Sequence, residues 1–365
     1  MVQKNILGKN RLYFILTILL ASIFQSTVDV QATDRQVIFT KLGSYPTGMS
    51  AFEVTVIDDI AFVTDDYTGF FIINVSDPSN PTLINHTIIS QSYSLFIDNN
   101  HAYIGTFSSG MIVFDITNLT NPIELGSFDD GGSSTDIQIV DDLAFVANYG
   151  NGFEILNVTN PANITMIGSY VEGQFINSLA IVDEIAFITV YFSDHDSQLV
   201  ALNISDPINP IPIIHSKEVN GSATLQYKDE LVFLSSWSDG LIIMNFSDVY
   251  HPIELGSYRG DGVTTGSFYV DDLLFLGKYT TGLKVLDVSD LNNPKVVGGY
   301  YDGGSATNMF VVDDLIYVAD KNDGLEILQF EIQESSETII GYKWFSLLTV
   351  VFILYFSKKI IIRKV

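Results

Sequence analysis

Seven times along the chain the same short phrase returns, an acidic or amide pair followed within a few residues by an aromatic. The copies read VIDDIAFV, FIDNNHAYI, IVDDLAFV, IVDEIAFI, YKDELVFL, YVDDLLFL and VVDDLIYV. Their aromatics are Phe62, Tyr103, Phe145, Phe187, Phe233, Phe275 and Tyr317, spaced 41, 42, 42, 46, 42 and 42 residues apart. A period near 42 means that one supersecondary unit is copied, and that stacking the copies buries the core.

Within each period the pattern alternates as strands do. The polar pairs (Asp58-Asp59, Asn99-Asn100, Asp141-Asp142, Asp183-Glu184, Asp229-Glu230, Asp271-Asp272, Asp313-Asp314) interrupt apolar alternation. Asp and Asn tolerate the positive φ of a tight hairpin, so each pair is expected to join a strand A to a strand B. Two residues past the aromatic stands a small residue: Thr64, Gly105, Ala147, Thr189, Ser235, Gly277 or Ala319. Such a residue suits a sheet against which another sheet nestles. Six repeats carry a glycine seven residues past the aromatic, then an apolar strand C, a turn rich in Asn, Asp, Ser and Pro, and a short strand D such as IELGSF. Four antiparallel strands per period without a helix give an all-β expectation, a seven-bladed β-propeller.

The last repeat stops at GLEILQFEI, with no turn and no strand D, while QVIFTKLGSY near the N-terminus reads as a strand D without strands A, B and C before it. The expected remedy is that residues 36–45 complete the seventh blade, closing the ring and covering a strand edge that would otherwise recruit other chains.

The segment GLKVLDVSDLNNPKVVGGY resembles the LVIVD repeat, named for its strand C motif. Related copies are GMIVFDITNLTNPIELGSF, GFEILNVTNPANITMIGSY and GLIIMNFSDVYHPIELGSY. The resemblance spans residues 36–332 and implies a propeller of a secreted or surface-anchored kind. It implies no particular activity.

The ends set the expected topology. Lys4, Lys9 and Arg11 precede the apolar run Leu12–Phe24, and Val30-Gln31-Ala32 offers a small-residue cleavage pattern, so residues 1–32 read as a signal peptide. An uncleaved anchor helix is the alternative. Residues 333–338 form a short stalk, and residues 339–357 read as a transmembrane helix, since their apolar core is eighteen residues, or roughly 27 Å, long. Residues 358–365, with Lys358, Lys359, Arg363 and Lys364, read as a basic cytoplasmic tail. The expected location is the cell membrane, single pass, with the propeller outside. Between leader and helix, 9 basic and 42 acidic residues leave a charge near −33, which excludes nucleic acid as a partner. Absence of cysteine means that an exported domain of this kind rests on its core.

In an antiparallel blade the A–B and C–D turns share one face, and the B–C and D–A loops share the other. The first face is acidic for reasons of turn chemistry; calcium binding there is the weaker reading, because no stretch spaces ligands as a calcium loop does. On the second face, Phe107, Tyr149, Tyr191, Trp237 and Tyr279 stand four residues past their repeat aromatics, with Asp66 and Lys321 in the first and last repeats. Asp129, Asp130, Glu172, Asp261 and Asp302 fall in the D–A loops. Aromatics with carboxylates around a concave mouth suit an extracellular protein, peptide or glycan; the structural alternative is that the rings pack between blades.

The fourth repeat carries four extra residues around Asp194, His195 and Asp196. These are weak metal candidates, and a solvated loop is the plainer reading. Asn85, Asn118, Asn163 and Asn220 head sequons open to glycosylation. Asn74, Asn157, Asn203 and Asn245 also head sequons but stand where Asp115 and Asp287 stand elsewhere, so their side chains are expected to hold turns. The five histidines fall at unrelated repeat positions, and no nucleophile elbow or phosphate-binding glycine loop is present. A non-catalytic binding or adhesion scaffold without a cofactor is therefore expected. The alternatives are a hydrolase working through the mouth carboxylates and a structural component of the cell envelope.

Overall fold

A computed structural model describes residues 35–171, 175–192, 196–220, 223–237, 239–260 and 262–334, and Gln36–Gln333 forms one compact body. The expected signal peptide, the transmembrane helix with its tail and nearly all of the stalk lie outside the described residues, as do Glu172, Asp194, His195 and Asp261. No described helix is long and apolar enough to cross a membrane. The described residues are all-β, with 28 strands and one short 3-10 turn at Pro161–Asn163.

The first repeat shows the unit. Strand A is Ala51–Ile57, B is Ile60–Asp65, C is Gly69–Asn74 and D is Thr82–Thr87, paired antiparallel in that order. Every A–B hairpin leaves two residues unpaired, as between Ile57 and Ile60. The first of the two has positive φ in all seven repeats, from 47° at Asp271 to 54° at Asp313. That is the conformation for which Asp and Asn are suited. Strand C begins on a glycine of positive φ in five repeats, for example Gly69 at 114°, and directly follows one, Gly110 at 63°, in the second, a conformation which a side chain would oppose.

Strands A run Ala51–Ile57, Ser92–Asp98, Ser133–Val140, Phe175–Val182, Ala223–Lys228, Thr264–Val270 and Ala306–Val312. Each packs against the next, and the last packs against the first. A separate apolar cluster fills the space between each successive pair of repeats. The clusters between the first and second, the third and fourth, and the sixth and seventh repeats are typical. One further cluster joins Val54, Val63 and Phe71 of the first repeat to Tyr317, Leu325 and Ile327 of the last. The small residues after the repeat aromatics belong to these seams. A side chain at Gly105 would run into the backbone of Ser134 in the next strand A, and Thr64 Oγ1 donates to Tyr93 O at 3.3 Å.

The stray N-terminal strand is Arg35–Tyr45. It is hydrogen-bonded to strand C of the seventh repeat, Gly324–Glu334, and lies parallel to strand D of the sixth, Lys295–Tyr300, with Val37 opposite Gly298. Val37 is buried in the cluster between those repeats. Why this strand reads LGS is a matter of packing. A Cβ on Gly43 would stand closer than 3.0 Å to Pro78 O, in the C–D turn of the first repeat. Gly126, Gly168 and Gly256 meet the turn carbonyls of Pro161, Pro207 and Leu291 in the same way. The glycine is thus the place where one outer strand receives the turn of the next unit.

Candidate ligand-binding rim

Strand B ends at the face opposite the acidic hairpins and delivers one side chain per repeat to a rim. The chain places Asp66, Phe107, Tyr149, Tyr191, Trp237, Tyr279 and Lys321 there. Phe107 is 45% exposed, Tyr149 37%, Trp237 52% and Tyr279 43%, and Tyr191 is half-buried. Most of the rings are therefore presented to solvent.

A second tier comes from the start of strand A, where six of the seven strands carry a register shift against strand B. At that shift the third, sixth and seventh repeats hold a threonine. Thr135, Thr265 and Thr307 donate to Ile176 O (2.9 Å), Ala306 O (2.7 Å) and Ala51 O (2.7 Å), each in the following repeat. The first and second repeats hold Phe52 and Tyr93 instead, with ring centroids 4.3 Å apart in an edge-on contact. Tyr93 continues to Phe107 at 5.8 Å. On the third and fourth repeats Tyr149 stacks on Phe175 at 3.8 Å, which reaches Tyr191 at 6.1 Å. The rings at this level pack between and within neighbouring repeats, and Phe107 and Tyr149 also stay exposed.

Lys321 replaces the aromatic in the last repeat. Its ammonium stands 4.5 Å from the ring centre of Phe52 and 5.1 Å from that of Tyr279. Burial lowers its pKa, opposed by the field of Asp66. Asp66 is itself raised by burial, with Lys321 pulling the other way.

The predicted carboxylates behave differently. Asp129 is exposed and Oδ1 accepts from Gly131 N at 2.9 Å, bracing its own loop. Asp130 and Asp302 turn toward strand C, each to a glutamate that is 2% exposed. Asp130 shares a hydrogen bond with Glu154, whose Oε1 also accepts from Asn148 at 3.0 Å. Burial, then Asp130, pushes Glu154 up to about 8. Asp302 pairs with Glu326, and Lys41 of the N-terminal strand donates to both, at 3.0 Å to Asp302. Burial pushes Glu326 up to about 7 against the pull of Lys41. Burial would raise Asp302 too, but its hydrogen bonds from Glu326 and Lys41 hold it near 2.

Deeper on the inner strands, Glu53 accepts from Asn308 Nδ2 at 2.6 Å, and Asp136 accepts from Ser178 Oγ and Leu179 N, both at 2.9 Å. Burial, then the charge of Asp136, raises Glu53 to about 8; burial raises Asp136 to about 6. Gln138 and Gln226 satisfy the next repeat's strand A, accepting from Ile181 N and Tyr269 N at 2.8 Å. These groups complete unpaired strand edges, which gives buried polar residues a structural occupation.

As for metals, Asp302, Asp323 and Glu326 bring oxygens within 4.8 Å of one another. The Lys41 ammonium already stands between two of the three. The candidates Asp194 and His195 lie outside the described residues, as does the side chain of Asp196. A separate hollow lies on the opposite face, lined by Asp183, Ile185, Asn203, Ile213, Val249 and Tyr250.

The turn reading of the sequons holds at Asn74, Asn157, Asn203 and Asn245. Each Oδ1 accepts from the amide two residues on, at 2.7–3.0 Å, as Asp115 and Asp287 do. Asn118 caps Thr120 similarly. Asn85 Nδ2 donates to Thr120 O at 3.1 Å, and Asn163 ends the 3-10 turn. The side chain of Asn220 is not among those described. One reading is corrected: the histidines are not all unrelated. His86 and His215 both stand on strand D, opposite Phe71 and Val200 of strand C, each twelve residues past the turn asparagine. His86 stacks on Phe71 at 4.1 Å. The four extra residues of the fourth repeat hide this equivalence when positions are counted from the repeat aromatic.

Sequence reasoning passed over Lys41, Glu53, Asp136, Glu154 and Glu326. For the glutamates of strand C a signal existed, since GFEILN and GLEILQ each interrupt an otherwise apolar strand with one acid.

A crystal structure of a computationally designed protein, Ika8, is similar at a TM-score of 0.58 and 14% identity, covering 79% of this chain and 99% of that one. At that identity the likeness concerns the fold alone. Among curated proteins none matches. The model of the LVIVD repeat matches residues 48–87, 91–130, 131–172 and 303–329. Those four segments are thus LVIVD repeats, and the repeat family is propeller-forming.

Proposed function

We propose that the chain is a closed seven-bladed β-propeller at the cell surface, a non-catalytic scaffold that binds an extracellular protein, peptide or glycan at its rim. The seven inner strands in cyclic contact support the closed ring. The leader and the C-terminal apolar segment, read from sequence, support a propeller held outside a membrane. The observation that carries the binding reading is the contrast within the rim. Phe107, Tyr149, Trp237 and Tyr279 are exposed, while Asp130 and Asp302 are engaged with the buried Glu154 and Glu326. Presented aromatics are the usual anchors of recognition surfaces.

The test is an array of extracellular glycans, peptides and proteins probed with the full chain. Rim-dependent binding, reduced in a Phe107→Ala/Tyr149→Ala double variant, is the expected result. Binding that ignores both substitutions, or turnover of an arrayed substrate, would overturn the reading.

A further inference from the structure

The rim already holds one cation of the chain's own. In the ring of side chains that end strand B, five repeats supply an aromatic and the seventh supplies Lys321. That lysine is half-buried. Its ammonium lies between Phe52 and Tyr279 of two flanking repeats, in the field of Asp66. Such a seat gains from the negative faces of both rings and from the carboxylate, and gains more where water is excluded. The surface is thus chemically able to accept an alkylammonium group.

Among the described residues both cation–ring contacts belong to Lys321. Elsewhere on the rim Phe107, Tyr149 and Trp237 are exposed, and among the described residues no cation lies over them. Tyr149 is backed by Phe175 and so fixed in place. The whole surface carries a large acidic excess, which draws cations in and repels anions. The exposed rings belong to the second, third and fifth repeats, so one small ion cannot engage them together. An extended chain, advancing about 3.3–3.6 Å per residue, carries several side chains around such a rim.

The geometry points to a lysine-bearing polypeptide segment of a second protein as the partner of this rim, its ammonium groups seated on Phe107, Tyr149 and Trp237 as Lys321 is seated on Phe52 and Tyr279. This rests on the scaffold reading above and specifies its ligand. The charge of the ligand gives attraction at long range, and the rings give selection among cations.

The experiment titrates the full chain with an oligolysine peptide, with its Nε-trimethyl form and with its Nε-acetyl form, using calorimetry. Oligolysine and the trimethyl peptide are expected to bind, since both keep the charge over the ring. The acetyl peptide should not. Phe107→Ala and Tyr149→Ala leave the net charge untouched, and each should weaken binding about 2- to 5-fold. Equal binding by the acetyl peptide overturns the inference. So does unaltered oligolysine affinity in both ring variants, which would mark the attraction as unspecific charge. If no lysine peptide binds while a glycan or a neutral peptide binds in a ring-dependent way, the cation inference falls and the scaffold reading stands. If nothing binds in a ring-dependent way, both fall.

Discussion

Replacing Gly43 by alanine sets two effects of opposite sign against each other. Gly43 lies within the N-terminal strand and is not among the positive-φ glycines, so alanine can adopt its backbone conformation. Taken alone, the substitution removes freedom from the unfolded chain and stabilises by about 0.4–1 kcal/mol. Packing opposes it. The new methyl would stand inside 3.0 Å of Pro78 O and 3.2 Å from both Pro81 Cδ and Ser79 C. Those neighbours are backbone and a proline ring, which cannot swing aside as the end of a long side chain can. Overpacking of this kind costs about 1–3 kcal/mol.

The net expectation is a loss of about 1–2 kcal/mol. With unfolding entropy of about 2.1 cal/mol/K per residue over some 300 residues, the melting temperature falls by about 2–3 °C. Scanning calorimetry on the full chain measures it, with Gly126→Ala as the companion, since Gly126 meets Pro161 O in the same relation inside the continuous chain. Equal losses mean that the N-terminal strand is held as firmly as any internal outer strand. An unchanged or raised melting temperature in both variants refutes the packing argument. A loss in Gly126→Ala alone would show that the terminal strand peels away before the body melts, and closure through Arg35–Tyr45 would then contribute little to stability.

Glu154→Gln should stabilise more at pH 8 than at pH 5. Its carboxyl has an ordinary value near 4.5 and is raised to about 8 in the fold, so the folded state favours its proton. That contribution is complete below about pH 4.5 and is lost as pH climbs to about 8; glutamine keeps a donor toward Asp130 at every pH. Glu53, Asp136 and Glu326 titrate in the same direction, so the difference between variant and parent is the quantity to follow by thermal melts. A gap of equal size at both pH values would refute it. Asn245→Asp should change stability by less than about 0.5 kcal/mol, because the Oδ1 that accepts from Ser247 N at 2.7 Å survives. Asn245→Ala should cost about 1 kcal/mol by chemical denaturation; equal effects of the two would mean that the turn bond is not what the residue supplies.

What could be read from the sequence is what recurs in it. The hairpin pairs, the small residue after each aromatic, the turn asparagines and the orphan strand D answer to local chemistry or to one neighbouring repeat, and seven copies make such requirements visible. The seat of Lys321 could not be read, because it depends on Phe52, which is 269 positions away and adjacent only once the ends meet. The field between Glu53 and Asp136 likewise joins strands of the first and third repeats.

The third and seventh repeats make the point within one molecule. Asp130 and Glu154 recur 172 positions later as Asp302 and Glu326, in the same loop and on the same strand. In the third repeat the pair is completed by Asn148, and the glutamate, raised to about 8, keeps its proton at neutral pH. In the seventh, Lys41 enters from the far end of the chain and contacts both carboxyls. The outer strand of the third repeat is tethered by its own C–D turn and needs no ion pair to stay in place. That of the seventh has no such tether, and the lysine supplies charge where the chain lacks continuity. Slippage of Arg35–Tyr45 by one residue would carry the ammonium to the other face of the strand and break both contacts, so the pair discriminates between registers even where its net stabilisation is small.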